Sequence, residues 1–130
     1  MIFIDASFFL AYDNENDVHH SRALAILDDI EKYGPVFTSD YILNEVVGVG
    51  LRKLGKERAV TLGQHILKTT FIINVDEHIF SESWGAFSKT DLNLSLVDCT
   101  TLVIMKLANA GKIATFDKEF RKINYLDVLE

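Results

Sequence analysis

The chain has 130 residues, 48% of them hydrophobic, with 13 basic and 19 acidic side chains, one proline and one cysteine. That length and apolar content exclude disorder as the main state and suit one core, so a single domain over residues 1–130 is expected. The lone Cys99 excludes a disulfide scaffold or a cysteine-based zinc site, and the net charge of −6 argues, as a sum, against a nucleic-acid partner.

Met1–Asp5 (MIFID) is a short apolar run closed by an acid, the pattern of a fully buried parallel strand. No basic segment precedes it and no run approaches the roughly 20 apolar residues of a membrane span. Neither secretion nor membrane insertion is expected, and a reducing cytoplasm suits the single thiol. Ser7–Tyr12 starts a short helix. From Asp17, the residues Ala23, Ile26, Leu27, Ile30 and Tyr33 recur at helical spacing until Gly34-Pro35 stops the helix. Val36–Thr38 is a second strand, and Ser39 or Asp40 caps a helix from Tyr41 to about Leu54, ended by Gly55. Lys56–Lys68 forms another helix, Phe71–Val75 a strand, and Asp76 caps a helix to about Ser88. Ser95 caps a strongly apolar helix, Leu96–Ala110, with Gly111 as its stop. Lys112–Phe116 is the next strand, followed by a helical turn over Asp117–Lys122 and a last strand, Tyr125–Val128. Alternating strands and helices predict a three-layer α/β fold with a largely parallel sheet. Phe3, Phe8, Phe9, Phe71 and Phe116 are expected in its core.

In open parallel sheets, ligands bind beyond the carboxyl ends of the strands. Asp5 and Asp117 fall at such ends, although a strand-end aspartate is also an ordinary turn former. Glu45 lies in YILNEVVGVGL among apolar neighbours, either at a helix edge or aimed into a site. Gly48 and Gly50 weaken that helix by about 1 kcal/mol each relative to alanine, and leave room for another backbone or a ligand. Asp98 has two readings. It completes a capping box with Ser95, or it is an acid held at the positive end of the helix, facing the carboxyl edge of the sheet.

If Asp5, Glu45, Asp98 and Asp117 meet, repulsion must be relieved. Two carboxylates about 4 Å apart repel by roughly 4 kcal/mol at an effective dielectric of about 20, so the cluster calls for protonation or a cation. An all-oxygen donor set without His or Cys selects a hard ion, Mg²⁺ or Mn²⁺, which in turn implies a phosphate-bearing substrate. The four histidines, His19, His20, His65 and His78, have no ligand spacing and are read as structural or surface residues, and Cys99 as a small buried one.

Five segments in order, FIDASFFLAY, the Asp17-Val18-His19-His20 stretch with Ala23, TSDYILNEV, LSLVDCTTLVIM and ATFDKEF, resemble the PIN-domain ribonucleases, most closely the VapC-type toxins of prokaryotic toxin–antitoxin pairs. The resemblance covers nearly the whole chain. It implies a three-layer α/β/α fold with a central, mostly parallel sheet of four to five strands. It carries the catalytic, metal-binding acids onto Asp5, Glu45, Asp98 and Asp117, and supporting hydroxyls onto Ser7 and Thr115. None of the four acids is missing. The implied activity is endoribonucleolytic hydrolysis dependent on one or two Mg²⁺ or Mn²⁺ ions, leaving a 5′-phosphate and a 3′-hydroxyl. Asp5, Asp98 and Asp117 would be direct ligands, with Glu45 on a second ion or on the attacking water. The implied partners are an RNA substrate, a cognate antitoxin and a second copy of the chain. Phe80, Trp84 and Phe87, at helical spacing, face the core, a dimer partner or an antitoxin peptide.

The charge is unevenly placed. Residues 1–45 hold nine carboxylates against two basic residues, whereas residues 46–130 hold ten against eleven. Arg52, Lys53, Lys56 and Arg58 cluster just beyond Glu45, and Lys118, Arg121 and Lys122 follow Asp117, where a phosphate track would need them, or where helix ends are simply solvated. Asp13, Glu15, Asp17, Asp28, Asp29 and Glu31 are expected on a solvated face away from RNA. A receiver-type phospho-acceptor module would need an adjacent acidic pair after the first strand, and a haloacid-dehalogenase-type hydrolase a second Asp where Ser7 stands. A housekeeping RNA-processing nuclease on the same fold stays open beside the toxin.

Overall fold

The computed structural model describes the backbone of all 130 residues and every side chain except that of Glu31. Five strands, β1 (Ile2–Ile4), β2 (Val36–Ser39), β3 (Phe71–Ile73), β4 (Lys112–Ala114) and β5 (Asp127–Leu129), form one sheet. Its order is β3-β2-β1-β4-β5, and every pairing is parallel. Six helices connect them: α1 (Ala6–Asp13), α2 (His20–Ile30), α3 (Asp40–Leu54), α4 (Lys56–Thr69), α5 (Glu77–Lys89) and α6 (Leu96–Leu107). The steps β1 to β2 to β3 run one way and the return from β3 to β4 runs the other. Right-handed crossovers then put α1–α4 on one face and α5–α6 on the other. The helix contacts agree: α1 packs on α2 and α3, α3 on α4, and α5 on α6.

β1 is the centre of the core, with Ile2 and Phe3 fully buried and Phe3 meeting Phe37 of β2 edge to face at 5.3 Å. Strand order reverses on either side of β1, so the β1–β4 boundary is the topological switch point at which open α/β sheets bind ligands. Ser39, rather than Asp40, caps α3 by accepting from Ile42 N–H. Asp40 instead accepts from Val75 N–H and ties the β3–α5 loop down.

Several boundaries differ from the sequence expectation. The α-helix starts at His20, not Asp17, because Asp17 accepts from the N–H groups of His19 and His20 and forms the turn before it. α6 stops at Leu107, not Ala110, because Asn109 already takes the left-handed conformation (φ 52°) that ends it before Gly111. The strands expected at Phe71–Val75 and Lys112–Phe116 are three residues each. The last strand is Asp127–Leu129 rather than Tyr125–Val128, since Leu126 N–H closes a turn onto Ile123 C=O and pairing starts only at Lys112↔Asp127. Phe71 is not in the core. It lies on the edge strand β3 and is 74% exposed. Phe80, Trp84 and Phe87 are exposed on α5, which removes their core reading. Gly50 does lie against α4, but a Cβ there would stand 3.5 Å from Ala59 Cα, an ordinary contact. The tight glycine is Gly63 of α4, where a Cβ would come within 3.0 Å of Val47.

Gly55 joins α3 directly to α4 at φ 88°. With ψ 172° this is the extended positive-φ region that essentially only glycine adopts, so Gly55→Ala is expected to lower unfolding free energy by about 1–3 kcal/mol, measured by urea denaturation.

Candidate active site

The β1–β4 ladder ends at Ile4↔Ala114, so Asp5 and Thr115 leave the sheet side by side. Asp5 is only 7% exposed. Its Oδ2 accepts two hydroxyl protons, from Ser7 Oγ and Thr115 Oγ1, each at 2.7 Å. Those hydroxyl oxygens accept in turn from Phe116 N–H and Asp117 N–H, both at 3.0 Å. Each hydroxyl has spent its proton on Asp5, so the chain passing Asp117 is held to Asp5 through Thr115. Among the described residues, Asp5 Oδ1 has no partner.

Asp98 and Asp117 repeat that division. Asp98 Oδ2 accepts from Ser95 N–H at 2.7 Å while Asp98 N–H donates to Ser95 Oγ, so the capping box forms with aspartate in the usual glutamate position. Asp117 Oδ1 accepts from Glu119 N–H and caps the 3₁₀ turn Lys118–Lys122. Each aspartate gives one oxygen to the local fold and keeps the other free. Glu45, on α3, stays at the exposed mouth.

The acids lie within range of one another's charge. Partial desolvation pushes the Glu45 carboxyl up from the ordinary range, and Asp5, Asp98 and Asp117 push it further. Burial likewise raises Asp98, the hydrogen bonds from Ser95 pull it back, and Asp5 and Asp117 add to the rise. Among the described residues no three acid, histidine or cysteine groups close into a ready ligand cage. The donor set is nevertheless all oxygen, with one free oxygen on each of three aspartates, and suits a hard divalent ion that keeps part of its water shell.

The six basic residues singled out in sequence, Arg52, Lys53, Lys56, Arg58, Lys118 and Arg121, are all exposed. Arg58 pairs with Asp13 at 2.8 Å and Arg121 with Glu130 at 2.7 Å. Asp13 is therefore not on a solvated face, as expected, but against the start of α4. Among the described residues Arg52, Lys53, Lys56 and Lys118 carry no ion pair.

His20 is structural, its Nδ1 2.8 Å from Ala11 C=O. Burial raises the Cys99 thiol, which removes it as a nucleophile at neutral pH. His19 is the residue that sequence reasoning passed over: its ring stacks on Phe116 at 4.4 Å, a contact between distant segments that no local pattern signals. An apolar groove of about 530 Å³, lined by Tyr12, Leu27, Ile30, Leu62 and His65 among others, lies apart from the acids.

The PIN domain family model matches residues 2–125, and the chain belongs to that family. Its likeness within the family is to the VapC-type toxins. It is 27% identical over 130 residues to the 23S rRNA-specific endonuclease VapC20 of Mycobacterium tuberculosis, covering 98% of each chain. The crystal structure of M. tuberculosis VapC20, described as a sarcin-ricin loop cleaving toxin, superposes with a TM-score of 0.89 at 25% identity, covering 100% of both chains. A toxin–antitoxin complex from Klebsiella pneumoniae shares the fold with a TM-score of 0.73 at 19% identity, covering 100% of this chain and 98% of that one. Nucleases of this family generally use a divalent metal ion.

Carboxyls raised above their unfolded values bind protons more tightly in the folded state. Glu45 and Asp98 therefore subtract stability as pH rises from the ordinary carboxylate range through their raised values. Glu45→Gln is expected to raise the thermal midpoint of the metal-free protein at pH 7 and to reduce the further rise caused by Mg²⁺, by calorimetry; an unchanged midpoint would remove Glu45 from the cluster. Thr115→Val, which takes one donor from Asp5, is expected to weaken divalent-ion binding about 10-fold by isothermal titration, the low end of the loss for groups supporting a ligand.

Proposed function

We propose that this chain, acting as a single cytoplasmic domain, is an Mg²⁺- or Mn²⁺-dependent endoribonuclease and the toxin of a toxin–antitoxin pair. The observation that carries this is the arrangement of Asp5, Asp98 and Asp117, each with one oxygen fixed and one free, at the switch point of a PIN-family sheet. Likeness along the whole length to an rRNA-specific endonuclease supports RNA as the substrate.

In this reading Asp5 Oδ1 and the free oxygens of Asp98 and Asp117 hold one or two ions. A divalent ion held there would lower the pKa of its water and offset charge on the phosphodiester and its leaving oxygen. Asp5 keeps its orientation because Ser7 and Thr115 occupy its other oxygen. Glu45, with a carboxyl already raised, takes the proton of the attacking water or helps hold a second ion. Lys118, beside Asp117, and Arg52, Lys53 and Lys56, beyond Glu45, contact flanking phosphates. Arg58 and Arg121 would do so only by exchanging a surface ion pair of low worth. The apolar groove between α1, α2 and α4 and the aromatic face of α5 are the surfaces open to protein partners, an antitoxin and a second copy.

Asp5→Asn and Asp98→Asn are each expected to lower Mg²⁺-dependent RNA cleavage by more than about 100-fold, beyond the 10- to 100-fold typical of groups behind a metal ligand, with circular dichroism unchanged. Parental cleavage by both variants would overturn the site.

A further inference from the structure

Beside the acids the surface opens into a second recess of about 300 Å³, at the small end of the range of about 300–1,000 Å³ that ligands occupy. Two of its wall residues belong to the acid site. Ser7 donates to Asp5, and Phe116 donates its N–H to Ser7 and directly precedes Asp117. Whatever lies in the recess is a neighbour of the group held by the acids.

Two rings, Phe116 and His19, line one wall, with Phe8 stacked behind Phe116. Phe8 and Phe116 lie parallel within 6° at 5.9 Å, and His19 lies parallel to Phe116 within 5° at 4.4 Å. Phe8 is buried, Phe116 half-buried and His19 exposed, so the run of rings reaches the surface at His19. Its backbone is pinned: His19 N–H donates to Asp17 Oδ1, and the next residue is anchored to Ala11 C=O. An exposed imidazole so held has already lost much of the freedom that a stacking partner would otherwise have to remove. Lys53 also lines the recess and carries no ion pair among the described residues. Two carboxylates share this wall: the charge of Asp13 is taken up by Arg58, and Asp17, without an ion pair among the described residues, has Oδ1 occupied by His19 N–H.

A flat ring face with a single free cation suits a base with its own phosphate, not a second metal ion or a run of phosphates. Single-stranded RNA is recognised by stacking splayed bases on aromatic or histidine rings. We propose that this recess seats one unpaired RNA base next to the scissile phosphate, with His19 as the stacking platform and Lys53 on the adjoining phosphate. The proposal rests on the endoribonuclease reading and names a substrate subsite within it.

His19→Ala is expected to lower kcat/KM on a mixed-sequence, single-stranded fluorogenic RNA by about 5- to 100-fold, the effect of deleting one base–aromatic stack, mainly through KM. His19→Phe should keep most of the parental value, with circular dichroism showing both variants folded at the assay temperature. In the metal-free parent, adenosine 5′-monophosphate should shift the His19 ring-proton resonances, whereas ribose 5-phosphate should not. Equal cleavage by parent and His19→Ala, or equal shifts with both phosphates, would overturn the base seat and leave the nuclease reading standing. A parent that cleaves no RNA yet shows the adenosine-selective shift would overturn the nuclease reading and keep the seat.

Discussion

Asp5 directly follows a strand with no exposed residue and is itself 7% exposed, a place where an uncompensated ion costs several kcal/mol. Among the described residues no lysine or arginine comes to it. Two hydroxyls meet the need at one oxygen, and the rest of the active edge follows from having to put them there. Ser7 reaches Asp5 because α1 starts at once after β1. Thr115 reaches it because β4 is the neighbour of β1 and their ladder ends level, at Ile4↔Ala114. That adjacency exists only because the strand order turns back at β1. The same hydroxyl of Thr115 then receives Asp117 N–H, so the last acid is positioned by the first.

Asp98 shows that a structural and a functional reading of one carboxylate need not compete. A carboxylate has two oxygens. The capping box uses Oδ2 and leaves Oδ1 without a partner among the described residues; burial raises the Asp98 carboxyl and the charges of Asp5 and Asp117 add to the rise. Asp117 does likewise at the start of its 3₁₀ turn. Fixing one oxygen to the local backbone orients the other without a further shell of side chains, a form of preorganisation available to a small domain.

What could be read from sequence was local in origin. The Ser95 and Asp76 caps, the Gly55 break between α3 and α4, and the acids after β1 and β4 each depend on a few neighbouring residues and stand where expected. What was missed depends on the sheet. Phe71 reads as a core residue, but strand order makes β3 an edge and leaves the ring at the surface. The early end of α6 turned on Asn109 adopting a conformation that Gly111 offered more cheaply. The His19–Phe116 stack joins the α1–α2 loop to the residue after Thr115, and no period or spacing encodes it.

The net charge of −6 says little, because exposed charges farther apart than about 8–10 Å are largely screened from one another at moderate salt. Placement carries the meaning. Asp13 is matched by Arg58 and Asp29 by Lys32, while Arg52, Lys53, Lys56 and Lys118 remain unpaired among the described residues. Asp5, Glu45, Asp98 and Asp117 are likewise without an ion pair among the described residues, and they lie within range of one another's charge. In the nuclease reading this sets an order of events. Without cations the cluster repels the phosphate it is meant to cleave, and the rim cations cannot offset four carboxylates close to the scissile group. Divalent ions held by Asp5, Glu45, Asp98 and Asp117 would offset that charge, so in this reading cation occupancy would favour the approach of RNA as well as its hydrolysis.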